Sequence, residues 1–312
     1  MLLPQEIVDL IVDESAEQSI SQLTICSLVC HSFHSRARIL LFSHIDLWVG
    51  GWDRSYHRRA SKLVRILKYK KNSDLISQRI RSVKVFLDRF LWGTQGGWSS
   101  SAHFPGPTLL LSLVGINTNP MVAALTMLKN APIEKFVLEG LDAYGTFPDD
   151  PTDKIPTLLL EMCSNPNLKT LGFEKISNLP YTFIMGCDNT RSFTRLVLRD
   201  VKLSYVGLKI PPRTVIPTIE RIETLELAQM SSYNFLTPLR SLFPLLPSSL
   251  SPSVYFKNLK NLAVVVRRFE EREELWQFIL GVADTLESLE LHLNTPFPDS
   301  GEVSLHLVEK GH

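Results

Sequence analysis

From residue 80 onward the chain repeats one short pattern, with apolar residues at relative positions 1, 4 and 6 and mostly polar or small residues between. It occurs at Ile80-Val83-Val85, Ile133-Phe136-Leu138, Leu168-Leu171-Phe173, Phe193-Leu196-Leu198, Ile222-Leu225-Leu227, Leu259-Leu262-Val264 and Leu286-Leu289-Leu291. Positions 4 and 6 have strand parity and face one core. Helical stretches at 121–130, 155–164 and 273–283 precede three of these pieces. A strand, a crossover helix and a parallel strand make one unit, and seven in succession predict a solenoid, an α/β fold with a parallel sheet and outer helices. Segments 92–107 and 142–156, rich in Gly, Ser, Pro and Asp, read as surface loops. An alternating piece, Val303 to Leu307, follows the last repeat. Either it caps the solenoid or the array is incomplete at its C-terminal end.

The first 46 residues carry a helical period instead. Pro4 suits a helix start, Glu6 falls in the first turn, and Ile7, Leu10 and Ile11 share a face at i, i+3 and i+4. Ser19 or Ser21 suits the cap of a second helix, which carries Leu23 and the apolar run Cys26, Leu28 and Val29. A third runs through Phe33, Ala37, Leu40 and Leu41 to about Ser43. Three short helices bury little apolar surface and need a neighbour or a partner. Between the two regions, residues 47–79 read as a basic helical linker. Arg54, Arg58, Arg59, Lys62, Arg65, Lys68, Lys70 and Lys71 have no acid between them, and Leu63, Val64, Ile66 and Leu67 supply a face to bury. The expected units are therefore 1–46, 47–79 and 80–312.

Composition narrows the function classes. Lys and Arg number 33 against 32 Asp and Glu. That balance argues against a general nucleic-acid binder, so the basic run is read as a solvated helix face. The apolar residues are too scattered to span a membrane, and Met1 to Glu6 is not a secretory signal. Four cysteines in 312 residues make no disulfide framework and suit a reducing, intracellular compartment, cytoplasm or nucleus.

Two resemblances sharpen the reading. The seven-fold pattern resembles leucine-rich repeats in an irregular form. Position 9, where those repeats place Asn or Cys, holds Asn294 once but otherwise Asp88, Leu141, Ile176, Val201, Met230 and Arg267. A plain α/β domain with leucine-rich strands is the competing architecture. Leu3-Pro4-Gln5-Glu6-Ile7 with Ile11, then Cys26-Ser27-Leu28-Val29-Cys30-His31-Ser32-Phe33, resembles an F-box. The continuation Arg36 to Leu47 is similar to fungal members of that family. This resemblance implies a three-helix unit that docks on a Skp-type adaptor, and through it on a cullin–RING ubiquitin ligase. It places Leu3, Pro4, Ile7, Ile11, Leu28, Val29, Cys30 and Phe33 at or beneath the adaptor face. The repeats would then bind a substrate protein. From the residues alone, the same side chains read equally as the local core of a helical cap. The alternative function is a ligase-independent leucine-rich-repeat scaffold for protein–protein interaction.

No constellation points to an enzyme. Gly93, Gly96 and Gly97 lack the Gly-Lys-Ser/Thr of a phosphate loop, and Gly-x-Ser-x-Gly is absent. Cys26, Cys30 and His34 would share a face on one continuous helix, but no second ligand pair accompanies them, so neither metal nor cofactor is expected. Asp149, Asp150 and Asp153 lack the spacing of a calcium loop. Positions 3, 5 and 7 of each strand face away from the core. Among them Arg195 and Arg199, flanked by Glu174 and Glu226 on neighbouring strands, are the candidate substrate-binding group.

Overall fold

The computed structural model describes residues 3–49, 54–68, 76–87, 119–140, 145–146, 154–177, 179–180, 182–185, 193–201, 203–204, 221–228, 256–266, 272–293 and 303–307. The expected loop at 92–107, the acidic triad 149–153, Lys70 and Lys71 lie outside these residues.

The chain opens with α1 (Gln5–Gln18), α2 (Ile20–Cys26) and α3 (His31–Leu41). Pro4 stands at the N-cap of α1, and the Ser19 side chain caps α2 by accepting from the Gln22 amide at 3.1 Å. Val8, Val12, Leu23 and Ala37 form a small core of their own, with Ala16, Phe33, Leu40 and Leu41 packed against it. Arg36 of α3 clamps Asp13 of α1 through two hydrogen bonds of 2.8 and 2.6 Å. Val8 and Val12 face inward, while Ile7, Leu10 and Ile11 are exposed.

The rest is α/β. Eight parallel strands stand side by side in chain order: β1 (His44–Val49), β2 (Ser82–Leu87), β3 (Lys135–Gly140), β5 (Thr170–Glu174), β8 (Arg195–Arg199), β10 (Thr224–Ala228), β11 (Asn261–Val266) and β12 (Ser288–Leu293). β13 (Val303–Leu307) adds an antiparallel strand beside β12. Two short parallel pairs accompany the sheet: β4 (Gly145–Thr146) with β6 (Ile176–Ser177), and β7 (Leu179–Pro180) with β9 (Leu203–Ser204). Strand order equal to chain order makes the fold an open, solenoid-like array. Among the described strands there is no reversal of order and therefore no crevice of the doubly wound kind.

One hydrogen-bond device recurs at all seven parallel interfaces described in the main sheet. A carbonyl just before each strand accepts two successive amides of the next repeat, at 2.7–3.0 Å. The acceptors are Ser43, Arg81, Glu134, Lys169, Thr194, Glu223 and Lys260. The repeats are irregular in length yet identical in this joint, which keeps every strand in one register.

Helices α4 (Arg54–Lys68), α5 (Pro120–Leu128), α6 (Lys154–Cys163) and α8 (Arg272–Val282) bury their apolar sides in one continuous core with positions 1, 4 and 6 of the strands. A short helix, α7 (Thr182–Met185), adds Phe183 and Ile184. Asn119 caps α5 with Pro120 as its first residue, which explains why that helix starts there. Asn165 is the buried polar residue among those described. Its amide donates to the Lys129 and Ala131 carbonyls at the end of α5, and its oxygen accepts from the Asn167 amide.

Four expectations are corrected. The 46/47 boundary falls inside β1, which belongs to the sheet. Phe42-Ile45-Leu47 carries the repeat pattern and adds one repeat ahead of the seven that spacing predicts. The segment 142–156 is not one loop, because α6 already starts at Lys154. Cys26 and Cys30 do not share a helix: α2 ends at Cys26, and Cys30 is the extended residue before α3. Val137 and Val197, expected to face solvent at position 5, are buried, because their short side chains sit mid-sheet among long charged neighbours.

Candidate functional site

Two surfaces stand out. The first is on the N-terminal helices. Apart from Trp276 and Leu280, every strongly exposed large apolar side chain among the described residues lies between positions 3 and 29. Ile7 and Ile11 mark successive turns of α1 with Leu10 beside them, and Leu3 lies just ahead of the helix. Leu28, 80% exposed, and Val29 project from the α2–α3 turn. Pro4 and Cys30 are exposed too, whereas Phe33 is half-buried against the small core. So the sequence-derived set divides into seven surface residues and one supporting residue. Leu10, Ile20 and Ile25, which that set omits, are exposed on the same helices. Glu6, Asp9, Asp13, Glu14 and Glu17 accompany the apolar residues of α1. Apolar residues bordered by charge thus lie exposed on a unit whose own core is four residues.

The second surface is the sheet face turned away from the helices. Strand register lays its side chains in three rungs. The rung at position 3 reads His44, Ser82, Lys135, Thr170, Arg195, Thr224, Asn261 and Ser288. The middle rung reads Asp46, Lys84, Val137, Gly172, Val197, Glu226, Ala263 and Glu290. The third, at position 7, begins with Trp48 and Phe86, stacked 4.7 Å apart, and continues through Glu139, Glu174 and Arg199 to His292.

A chain of ion pairs crosses these rungs. Lys175 meets Glu139 at 2.7 Å, Glu139 meets Lys84 at 2.5 Å, and Lys84 approaches Glu174 at 3.6 Å. Glu174 meets Arg199 at 3.3 Å; Arg199 also holds Glu226, which takes Arg195 at 2.9 Å. The four residues singled out by spacing are thus brought together. The carboxylates lie low and the cations ride above: Glu226 keeps 17% of its side chain exposed and Arg195 53%. Glu174, expected to be exposed, is half-buried for the same reason.

The electrostatics follow from this layering. Burial pushes Glu226 upward, but hydrogen bonds from Arg199 and Arg195 outweigh it and hold the carboxyl below the ordinary glutamate value. Glu139 behaves alike, with burial overcome by Lys175 and Lys84. Arg199 is raised chiefly by its hydrogen bond to Glu226. For Lys84 burial is the largest influence and lowers it, yet Glu139 and Glu174 together prevail and raise it. Two depressions follow the face and share Arg195, Arg199 and Glu226. One, of about 360 Å³, lies over Val137, Gly172 and Val197; the other, of about 640 Å³, lies toward Glu290 and His292. No group of three or more His, Cys, Asp or Glu among the described residues could hold a metal ion. No helix among them is long and apolar enough to cross a membrane.

On the helix side, the basic run forms α4. Arg58, Arg59, Lys62, Arg65 and Lys68 are exposed while Ala60, Leu63 and Leu67 are buried, and Arg59 lies over the Trp48 ring at 5.0 Å.

Fold and surfaces together define an α/β repeat protein with a separately cored helical unit at its start. No protein-family model matches the chain, and no curated protein matches it.

Proposed function

We propose that this chain is a substrate receptor of a Skp–cullin–F-box ubiquitin ligase, non-enzymatic and intracellular. Its N-terminal helices are an F-box that binds the adaptor, and its irregular leucine-rich repeats bind the substrate. The observation that carries the reading is the concentration of exposed Leu, Ile and Val on a unit whose own core is four residues. Such a unit gains most of its apolar burial from a partner. The residues that resemble the F-box motif, Leu3-Pro4 with Ile7 and Ile11, and Leu28-Val29-Cys30, are the ones left on the surface rather than spent on the core. A ligase-independent scaffold would need no such surface beside the repeats. The test is a pull-down with a purified Skp-type adaptor. Capture by the full chain, and loss of capture in a chain lacking residues 1–41, supports the proposal; equal recovery with and without those residues refutes it.

A further inference from the structure

We propose that the position-3 rung, centred on Lys135, Thr170 and Arg195, binds the carboxylates of an acidic peptide segment, and that this is the chemistry of the substrate the repeats hold. The inference rests on the substrate-binding half of the function above and is independent of adaptor capture.

The rung contains no acid in any of its eight strands, while the middle and position-7 rungs hold Asp46, Glu139, Glu174, Glu226 and Glu290. At its centre, register places Lys135, Thr170 and Arg195 on three adjacent strands. Neighbouring strands stand about 4.8 Å apart, so two cations flank a hydroxyl over roughly 10 Å. Lys135 is exposed and has no ion-pair partner among the described residues. Arg195 gives one terminal nitrogen to Glu226 and keeps about half of its side chain in solvent. The acids one residue earlier in the chain are Glu134, Glu223 and Glu287; Glu134, the one beside Lys135, meets Lys169 at 2.7 Å, and Glu223 lies 4.0 Å from Lys260. Thr224 and Asn261 continue the row with a 3.3 Å hydrogen bond between them.

The adjoining depression suits a peptide backbone. Its floor is Val137 and Val197 with Gly172 between them; the Val137 side chain covers the glycine, its Cγ2 3.1 Å from where a Cβ would stand, so the floor is an apolar strip between Lys84 and Glu226. In an extended segment, side chains on one face recur every ~6.8 Å. Carboxylates at alternate residues therefore come within reach of both Lys135 and Arg195. Asp46, Glu226 and Glu290 on the next rung oppose a long, uniformly charged strand more than a short segment bearing two carboxylates, which favours a peptide.

The experiment is fluorescence anisotropy on the full chain with a labelled peptide of alternating Glu and Ser, against its Gln–Ser counterpart. The glutamate peptide should bind, the glutamine peptide should bind at least tenfold more weakly, and Lys135→Gln with Arg195→Gln should cost at least tenfold. Lys135→Gln alone, which breaks no ion pair among the described residues, should cost several-fold and carries the test if the double variant misfolds by circular dichroism. Failure of the wild-type chain to bind the glutamate peptide, unchanged affinity in these variants, or equal or tighter binding of a single-stranded oligonucleotide would overturn the proposal. The adaptor pull-down should be unchanged throughout, so the two readings fail separately.

Discussion

Asn165 ties one repeat to the next, and its replacement tests whether the repeats are coupled through that bond. The side chain is 4% exposed, donates at 3.1 Å to Lys129 and 2.9 Å to Ala131, and accepts from Asn167 at 3.0 Å. Asn165→Ala leaves two carbonyls and one amide without these bonds. An unsatisfied buried group costs about 1–3 kcal/mol, and some of these groups can recruit water, so the expected loss is roughly 2–4 kcal/mol. Asn165→Asp keeps the shape but points an oxygen at two carbonyl oxygens. Its carboxyl pKa is therefore raised in the folded state. A raised pKa means the protonated form is favoured on folding, so the penalty is smallest at low pH and grows as pH rises through the unfolded value of about 3.9. The assay is urea unfolding, followed by circular dichroism, of wild type and both variants at about pH 4 and about pH 7. A loss under ~1 kcal/mol for the alanine variant, or an aspartate penalty that does not grow with pH, would show that the bond couples nothing.

Other consequences are equally direct. Leu171→Ala and Leu198→Ala, both buried core positions of neighbouring strands, should each cost ~2–5 kcal/mol in urea melts. Arg199→Ala on the opposite face should cost under about 1 kcal/mol, because the guanidinium is about half exposed and Glu174 and Glu226 keep Lys84 and Arg195 as partners. Equal losses for the two classes would show that the strand register is wrong. Glu139 and Glu226 have lowered pKa values, so their contribution is full above the ordinary glutamate value of about 4.3 and is lost as pH falls through the folded one. Relative to Glu139→Gln with Glu226→Gln, wild type should therefore lose more stability between about pH 6 and about pH 3.5; parallel losses would show that the ion-pair chain contributes nothing.

The parts of the molecule that were legible from sequence are those where a local period coincides with a buried face. Positions 1, 4 and 6 of each repeat read correctly because one side of the sheet is covered by helices, which makes register a matter of burial. Phe42-Ile45-Leu47 falls outside the seven repeats that spacing reveals, because it runs on directly from α3 with no turn signal between the helical and the strand period. On α1, period alone could not say whether Ile7 and Ile11 or Val8 and Val12 face inward, since both pairs are spaced i, i+4. Their exposure had to come from packing. The group Glu174, Arg195, Arg199 and Glu226 was legible because parity and register fix cross-strand neighbours, but the layering of carboxylate below guanidinium was not. That depends on side-chain length: a glutamate lies against the sheet where an arginine reaches over it. Val137 and Val197 were missed for the same reason, a short side chain being buried by its long neighbours.

The most direct measurement is a calorimetric titration of the full chain with a purified Skp-type adaptor, in wild type and in Leu3→Ala with Ile7→Ala. Leu3 is 58% and Ile7 43% exposed, so about half of each side chain remains to be buried by a partner. At about 1.5–3 kcal/mol for full burial, the pair is worth roughly 1.5–3 kcal/mol at the interface, a loss of about 10- to 150-fold in affinity. The account predicts saturable binding by wild type, that loss in the variant, and identical urea melts of the repeats. No heat of binding with the wild-type chain, or unchanged affinity in the variant with its fold intact, would contradict it.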